Sequence, residues 1–148
     1  MNDPVRHAVK ALIYRDDTRI LMQQRDFTPG INFQGYWTFF GGQVEPGESL
    51  KQALERELLE ELGCIPGVVG NELFQWEWRG DNPACNHCMS VHCELSEDSL
   101  VLNEGLAMNW FSMEELHGNF LLVPGVVENL SKIENFLEKT FPGLKKRI

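Results

Sequence analysis

One segment limits what this chain can fold into more than any other. Ser49 is a good helix N-cap, Gly63 a natural helix stop, and the residues between them read as a helix ending near Leu62. Placed at about 100° per residue, Glu57, Glu60 and Glu61 fall within an arc of about 100°. Leu54, Leu58 and Leu62 form an i, i+4 ridge turned to one side of the acids. Such a helix lays its leucines on an apolar layer, here a sheet, and leaves a carboxylate face beside it.

That face has a cost. Like charges three and four apart each destabilise an isolated helix by a few tenths of a kcal/mol, and a coordinated divalent cation would reverse the repulsion. Hard oxygen donors with partial water retention suit Mg²⁺, with Mn²⁺ as a substitute. Arg56 is four residues from Glu60 and could orient one acid while others bind metal. Taken alone, the acids could also be a solvated helix face, the ordinary fate of a charge run.

The flanking sequence supplies the layer. Residues 9–14 and 19–24 are β-rich runs around Arg15-Asp16-Asp17-Thr18, which reads as a hairpin. Residues 28–36 hold Pro29, Gly30, Asn32 and Gly35 and read as a loop. Residues 37–40 form a short β-prone run, ended by Gly41-Gly42. Residues 72–79 and 84–95 alternate like strands around the turn at 80–83. Residues 106–111 are a further strand, followed by a short helix capped at Ser112. Beyond Pro124-Gly125, Val126, Leu130, Ile133 and Leu137 recur at helical spacing. The order β, β, β, α, β, β, β, α predicts an α/β (α+β) protein with a mixed sheet and helices packed on it.

Residues 42–64 match the pattern G-x5-E-x7-R-E-U-x-E-E-x-G-U, U being a bulky aliphatic residue, with Cys64 in the last place as the only departure. Seven fixed positions at typical usage give a chance match on the order of one in 10⁸ per start. A buried cysteine behaves as a small hydrophobe, so the departure is mild. The chain therefore resembles the Nudix hydrolases, of the MutT-like kind. The likeness extends from about residue 8 to 116, through Arg19-Ile-Leu-Met-Gln-Gln-Arg25, Trp37-Thr-Phe-Phe-Gly-Gly42 and Asn109-Trp110-Phe111-Ser112-Met-Glu-Glu-Leu116.

The resemblance implies an α/β/α sandwich in one domain, 1–148, that cleaves a nucleoside diphosphate linked to another group. By position, Glu57, Glu60 and Glu61 would ligate Mg²⁺ with the backbone carbonyl of Gly41, Glu48 would support the metal site, and Arg56 would hold Glu57. Glu104, six residues before Trp110, is the expected further acid, as metal ligand or general base, with Glu57 the other possible base. Arg25, Phe39 and Trp76 are the expected substrate contacts. The substrate stays open among nucleoside triphosphates (oxidised ones included), nucleotide sugars and ADP-ribose, and a Nudix-fold sensor that binds without cleaving is a second possibility.

Composition narrows the partners. The chain has 148 residues, 43% of them hydrophobic and 24% charged, with a formal net charge of -9. That charge argues against binding a nucleic acid polymer and leaves a small phosphorylated ligand open, since bound cations invert the local field. No run approaches the roughly 20 apolar residues of a membrane span, and the N-terminus lacks the apolar core of a secretory signal. A cytoplasmic protein with reduced cysteines is expected, and a homodimer is possible. Cys85-Asn-His-Cys88, with His92 and Cys93, suggests zinc at first sight. In a strand, however, Cys85 and Cys88 point to opposite faces, and Cys85 and Cys93 stand about 26 Å apart. The cysteines are therefore read as packing residues. Phe74, Trp76 and Trp78 share one parity and serve either as core or as a base-stacking surface, a role for which Phe27, Phe33 and Tyr36 compete.

Overall fold

The computed structural model describes residues 5–80 and 82–143. Its strands are β1 His7–Tyr14, β2 Ile20–Gln24, β3 Trp37–Thr38, β4 Phe40–Gln43, β5 Val69–Trp78, β6 Ala84–His92 and β7 Ala107–Phe111. Its helices are α1 Leu50–Leu62, α2 Met113–His117, α3 Pro124–Val127 and α4 Leu130–Thr140. All the strands join one mixed sheet, in which β1 pairs antiparallel with β2 and parallel with β6, and β6 pairs antiparallel with β5. The expected mixed sheet between helices is observed.

Side-chain alternation sorts the core into two layers. Val9, Ala11 and Ile13 of β1 join Met89 and Val91 of β6 under Ala53, Leu54, Leu58 and Leu62 of α1. Leu12 and Tyr14, from the other face of β1, meet Cys88, Phe74 and Phe111 under Leu116, Val126, Ile133 and Leu137. The leucine ridge of α1 is thus fully buried.

The helix ends where its sequence says it should. Ser49 and Gln52 form a reciprocal capping box, and Gly63 takes the left-handed conformation while its N–H donates to the Leu59 carbonyl. A similar box at Ser112 and Glu115 starts α2.

Two expectations need correction. The run at 37–40 does not end at Gly41-Gly42. It changes partner at Phe39, with β3 on β2 and β4 running through both glycines on β1. The C-terminal helical pattern is also two helices. Asn129 is buried and its Nδ2 donates to the Gly125 carbonyl at 2.7 Å, which separates α3 from α4 without moving the apolar stripe off the core. The turn residue Asp81 and the basic stretch 145–147 lie outside the described residues.

β1 meets β4 over its first half and β2 over its second. On that edge the sheet forks, and the fork positions the site.

Candidate active site

Arg56 organises the first part of the site. Its Nε donates to Glu48 at 2.8 Å, Nη2 donates to Glu48 and to the Gln43 carbonyl, and Nη1 donates to Glu57 at 2.9 Å. Glu60 is looser, 3.6 Å from Nη1. The residue four along from Arg56 is therefore not the one it grips. These hydrogen bonds hold the Arg56 pKa above its ordinary value and the Glu48 carboxyl below its own. Both Glu48 oxygens accept from Arg56, so Glu48 braces the loop beside the acids.

Glycine backbone lets the acids approach the sheet. A Cβ on Gly42 would lie 2.3 Å from the Glu57 carboxyl carbon, and one on Gly41 (φ +150°) would lie 1.9 Å from the Val9 carbonyl oxygen. Any side chain at either position would push strand or carboxylate away.

Glu61 is the buried member, only 1% exposed. Gln23 Nε2 donates to it at 3.1 Å and also reaches the Phe39 carbonyl. Burial pushes the Glu61 pKa up to about 8, helped by the charge of Glu57, a hydrogen bond to Glu57 and the charge of Glu104, while Lys10 opposes the shift.

Glu104 reaches the site through the end of α1. The carbonyls of Glu60, Glu61 and Leu62 accept from Asn103 Nδ2, Asn103 N–H and Val101 N–H at 3.1, 2.8 and 3.1 Å. Carbonyls that a helix leaves unpaired thus hold the 101–105 loop. Glu104, Glu61, Gly41, Gln23 and Arg25 line one cleft of about 540 Å³.

A second hollow of about 310 Å³ adjoins Gly42 and Gln43 on the sheet face opposite α1, and Lys10, Arg25, Trp76, Trp78 and Asn86 are among its walls. Phe33 closes one side, its ring edge-on to Trp78 at 5.6 Å. Lys10 is half-buried. Burial lowers its pKa and the charges of Glu61 and Glu57 push back.

Of the expected substrate contacts, Arg25 and Trp76 border these hollows. Phe39 does not. Its side chain is 1% exposed and packs in the core beside Trp76, so the expectation of a substrate contact is dropped. Phe27 stands exposed over Gly35, outside both linings. Gln23, Lys10, Asn86 and Asn103 were not singled out from sequence. Only Lys10 gave a signal there, as a lone charge in Val9-Lys-Ala-Leu-Ile13.

An acid-bearing helix at a fork in a mixed sheet, with one buried carboxyl and a glycine strand against it, defines a hydrolase site of the pyrophosphatase class. The NUDIX domain family model matches residues 4–132. The chain belongs to that family and is a MutT-like pyrophosphohydrolase acting on nucleoside diphosphate derivatives. It is 40% identical over 108 residues to CTP pyrophosphohydrolase of Escherichia coli, covering 72% of this chain and 76% of that one. It is 38% identical over 76 residues to nucleoside triphosphatase NudI of Salmonella arizonae, 51% of each chain. The MutT protein of Methanosarcina mazei is similar in structure, with a TM-score of 0.72 at 26% identity over 95% of this chain and 98% of that one.

Proposed function

We propose that the chain is a Mg²⁺-dependent nucleoside triphosphate pyrophosphohydrolase, with a cytidine triphosphate as the first substrate to test. The observation that carries this reading is the buried Glu61, packed against Glu57 and facing Glu104, with Lys10 as the opposing charge. Carboxylates so crowded fit a hard divalent cation, with Glu57, Glu60, Glu61, Glu104 and the Gly41 carbonyl as its donors. When bound, Mg²⁺ supplies Lewis acidity toward phosphoryl oxygens and acidifies coordinated water.

The chain's own residues do the rest. Arg56 holds Glu57 in place, Gln23 holds Glu61, and Glu104 stands exposed across the cleft, where it can take a proton from the attacking water. Arg25 lies where the two hollows meet and can hold phosphate oxygens, while Trp76 and Trp78 offer aromatic surface to a base. Asn86 is buried in that second hollow and offers both a donor and an acceptor to a base edge. The pyrimidine preference rests on the CTP-cleaving relative.

The test is a panel of nucleoside triphosphates, nucleotide sugars and ADP-ribose with Mg²⁺, following pyrophosphate and monophosphate release. Triphosphates are expected to turn over, CTP or dCTP fastest. Glu60→Gln and Glu61→Gln should each slow turnover by about a hundredfold or more. Activity in both variants unchanged from the wild type would exclude the metal assignment, and turnover of sugars or ADP-ribose alone would exclude the substrate class.

A further inference from the structure

A second group of metal-type donors lies away from the carboxylate cleft. His7 opens β1, Cys85 and His87 lie on β6, and the parallel register sets His7 opposite Cys85 and Val9 opposite His87. Alternation turns all three to the α1 side of the sheet. One ligand atom from each residue lies within 4.8 Å of the other two. His7 Nδ1 is 2.8 Å from His87 Nε2, with the rings stacked at 5.1 Å. His87 Nδ1 bonds the Glu72 carboxylate on β5.

We propose that His7, Cys85 and His87 form a zinc site, with solvent in the fourth position, distinct from the site of the hydrolytic reaction. Two imidazoles and a thiol are a borderline-soft set, suited to zinc and unsuited to Mg²⁺. Tetrahedral zinc, with bonds of about 2.0 Å to nitrogen and 2.3 Å to sulfur, sets its donors roughly 3.3 to 3.6 Å apart. The observed spacings bracket that range, so entry of the ion needs side-chain adjustment and no change of strand register. Glu72 accepting from Nδ1–H of His87 leaves Nε2 its lone pair, the carboxylate–histidine–metal arrangement.

The surroundings favour a cation. The Glu72 carboxylate bonds His87 and Glu77 stands opposite Cys85 across β5 and β6, so two acids border the site, and the thiol proton would leave to solvent as the ion binds. His7 is exposed, which gives the ion a way in. The other cysteines stay out: Cys88 is buried in the opposite core layer, and Cys93 lies beyond the end of β6. A filled site would join the starts of β1 and β6. The His7 carbonyl accepts from Val44 N–H at 2.9 Å, so the same clamp would steady the loop that carries Glu48 to Arg56.

The test loads the full chain with Zn²⁺, dialyses it against Mg²⁺ buffer and measures bound zinc, then repeats the loading with Co²⁺. One zinc per chain and a thiolate-to-cobalt band in the near ultraviolet are expected. Cys85→Ser should abolish the band, and His7→Gln should weaken zinc binding at least about tenfold. His7 is an exposed strand start, so that variant keeps the test informative if Cys85→Ser folds poorly. Absence of retained zinc in the wild type, or retention by both variants equal to the wild type's, would overturn the assignment. Hydrolysis in Mg²⁺ bears on the cleft alone, so failure of either reading leaves the other standing.

Discussion

Lys10 shows how much one residue can add to a site whose chemistry is carried elsewhere. It opposes Gly41 across β1 and β4, feels the charges of Glu57 and Glu61, and lines the hollow that holds Trp76 and Asn86. A buried ammonium is costly unless paired, and here the partners are acids that a metal would claim. With metal in place, a substrate phosphate becomes its natural partner. Lys10→Met is therefore expected to raise KM for a triphosphate by about tenfold to a hundredfold, the range of a hydrogen bond to a charged group. The fold should hold, because the substitution removes a desolvated charge. Steady-state kinetics with a matched melting curve decides it, and an unchanged KM would remove Lys10 from substrate binding.

At the scale of elements, α1 and its surroundings differ in how far the sequence disclosed them. The helix, its two caps and its leucine ridge depend on neighbours within one or two turns, so spacing alone revealed them, whereas spacing pointed Arg56 to Glu60 and only the family resemblance pointed it to Glu57. Gln23, Lys10 and Asn103 reach the same acids through strand pairing and a returning loop, and no local pattern encodes those meetings. The split of β3 from β4 was hidden for a similar reason: Gly41-Gly42 looks like a strand terminator until β1 is seen to need bare backbone there. The loop at the end of α1 yields a sharper expectation. Asn103→Ala keeps the backbone bond to Glu61 and loses the side-chain bond to Glu60, which should cost about 1 kcal/mol and about 2–4 °C of melting temperature. If the loop serves to place Glu104, kcat should also fall several-fold, and that fall should vanish in a Glu104→Gln background while the stability loss persists. A rate loss of equal size in both backgrounds would show that the loop acts by another route.

For the whole molecule, the metal cleft and stability are coupled through protons. Glu61 has a folded pKa of about 8 against an ordinary 4.5. Between those values the native state holds a proton that the unfolded chain has released, so the slope of stability with pH is negative. Without metal, stability should fall as pH rises from about 5 toward 8. Lys10 works in the opposite sense, because its lowered pKa lets the native state release a proton the unfolded chain keeps. Comparison with Glu61→Gln isolates the acid, since that variant keeps the lysine. Mg²⁺ binds the ionised carboxylate, so the ion must displace the proton at low pH and meets little competition near pH 8. The rise in melting temperature on adding saturating Mg²⁺ should thus be larger at pH 8 than at pH 6, with proton release measurable by calorimetry. In Glu61→Gln both the metal-free decline and the pH dependence of the Mg²⁺ effect should flatten. A wild type whose metal-free stability rises across this window, relative to Glu61→Gln, would mean that Glu61 ionises freely without metal and that the acids are not held short of a counter-charge.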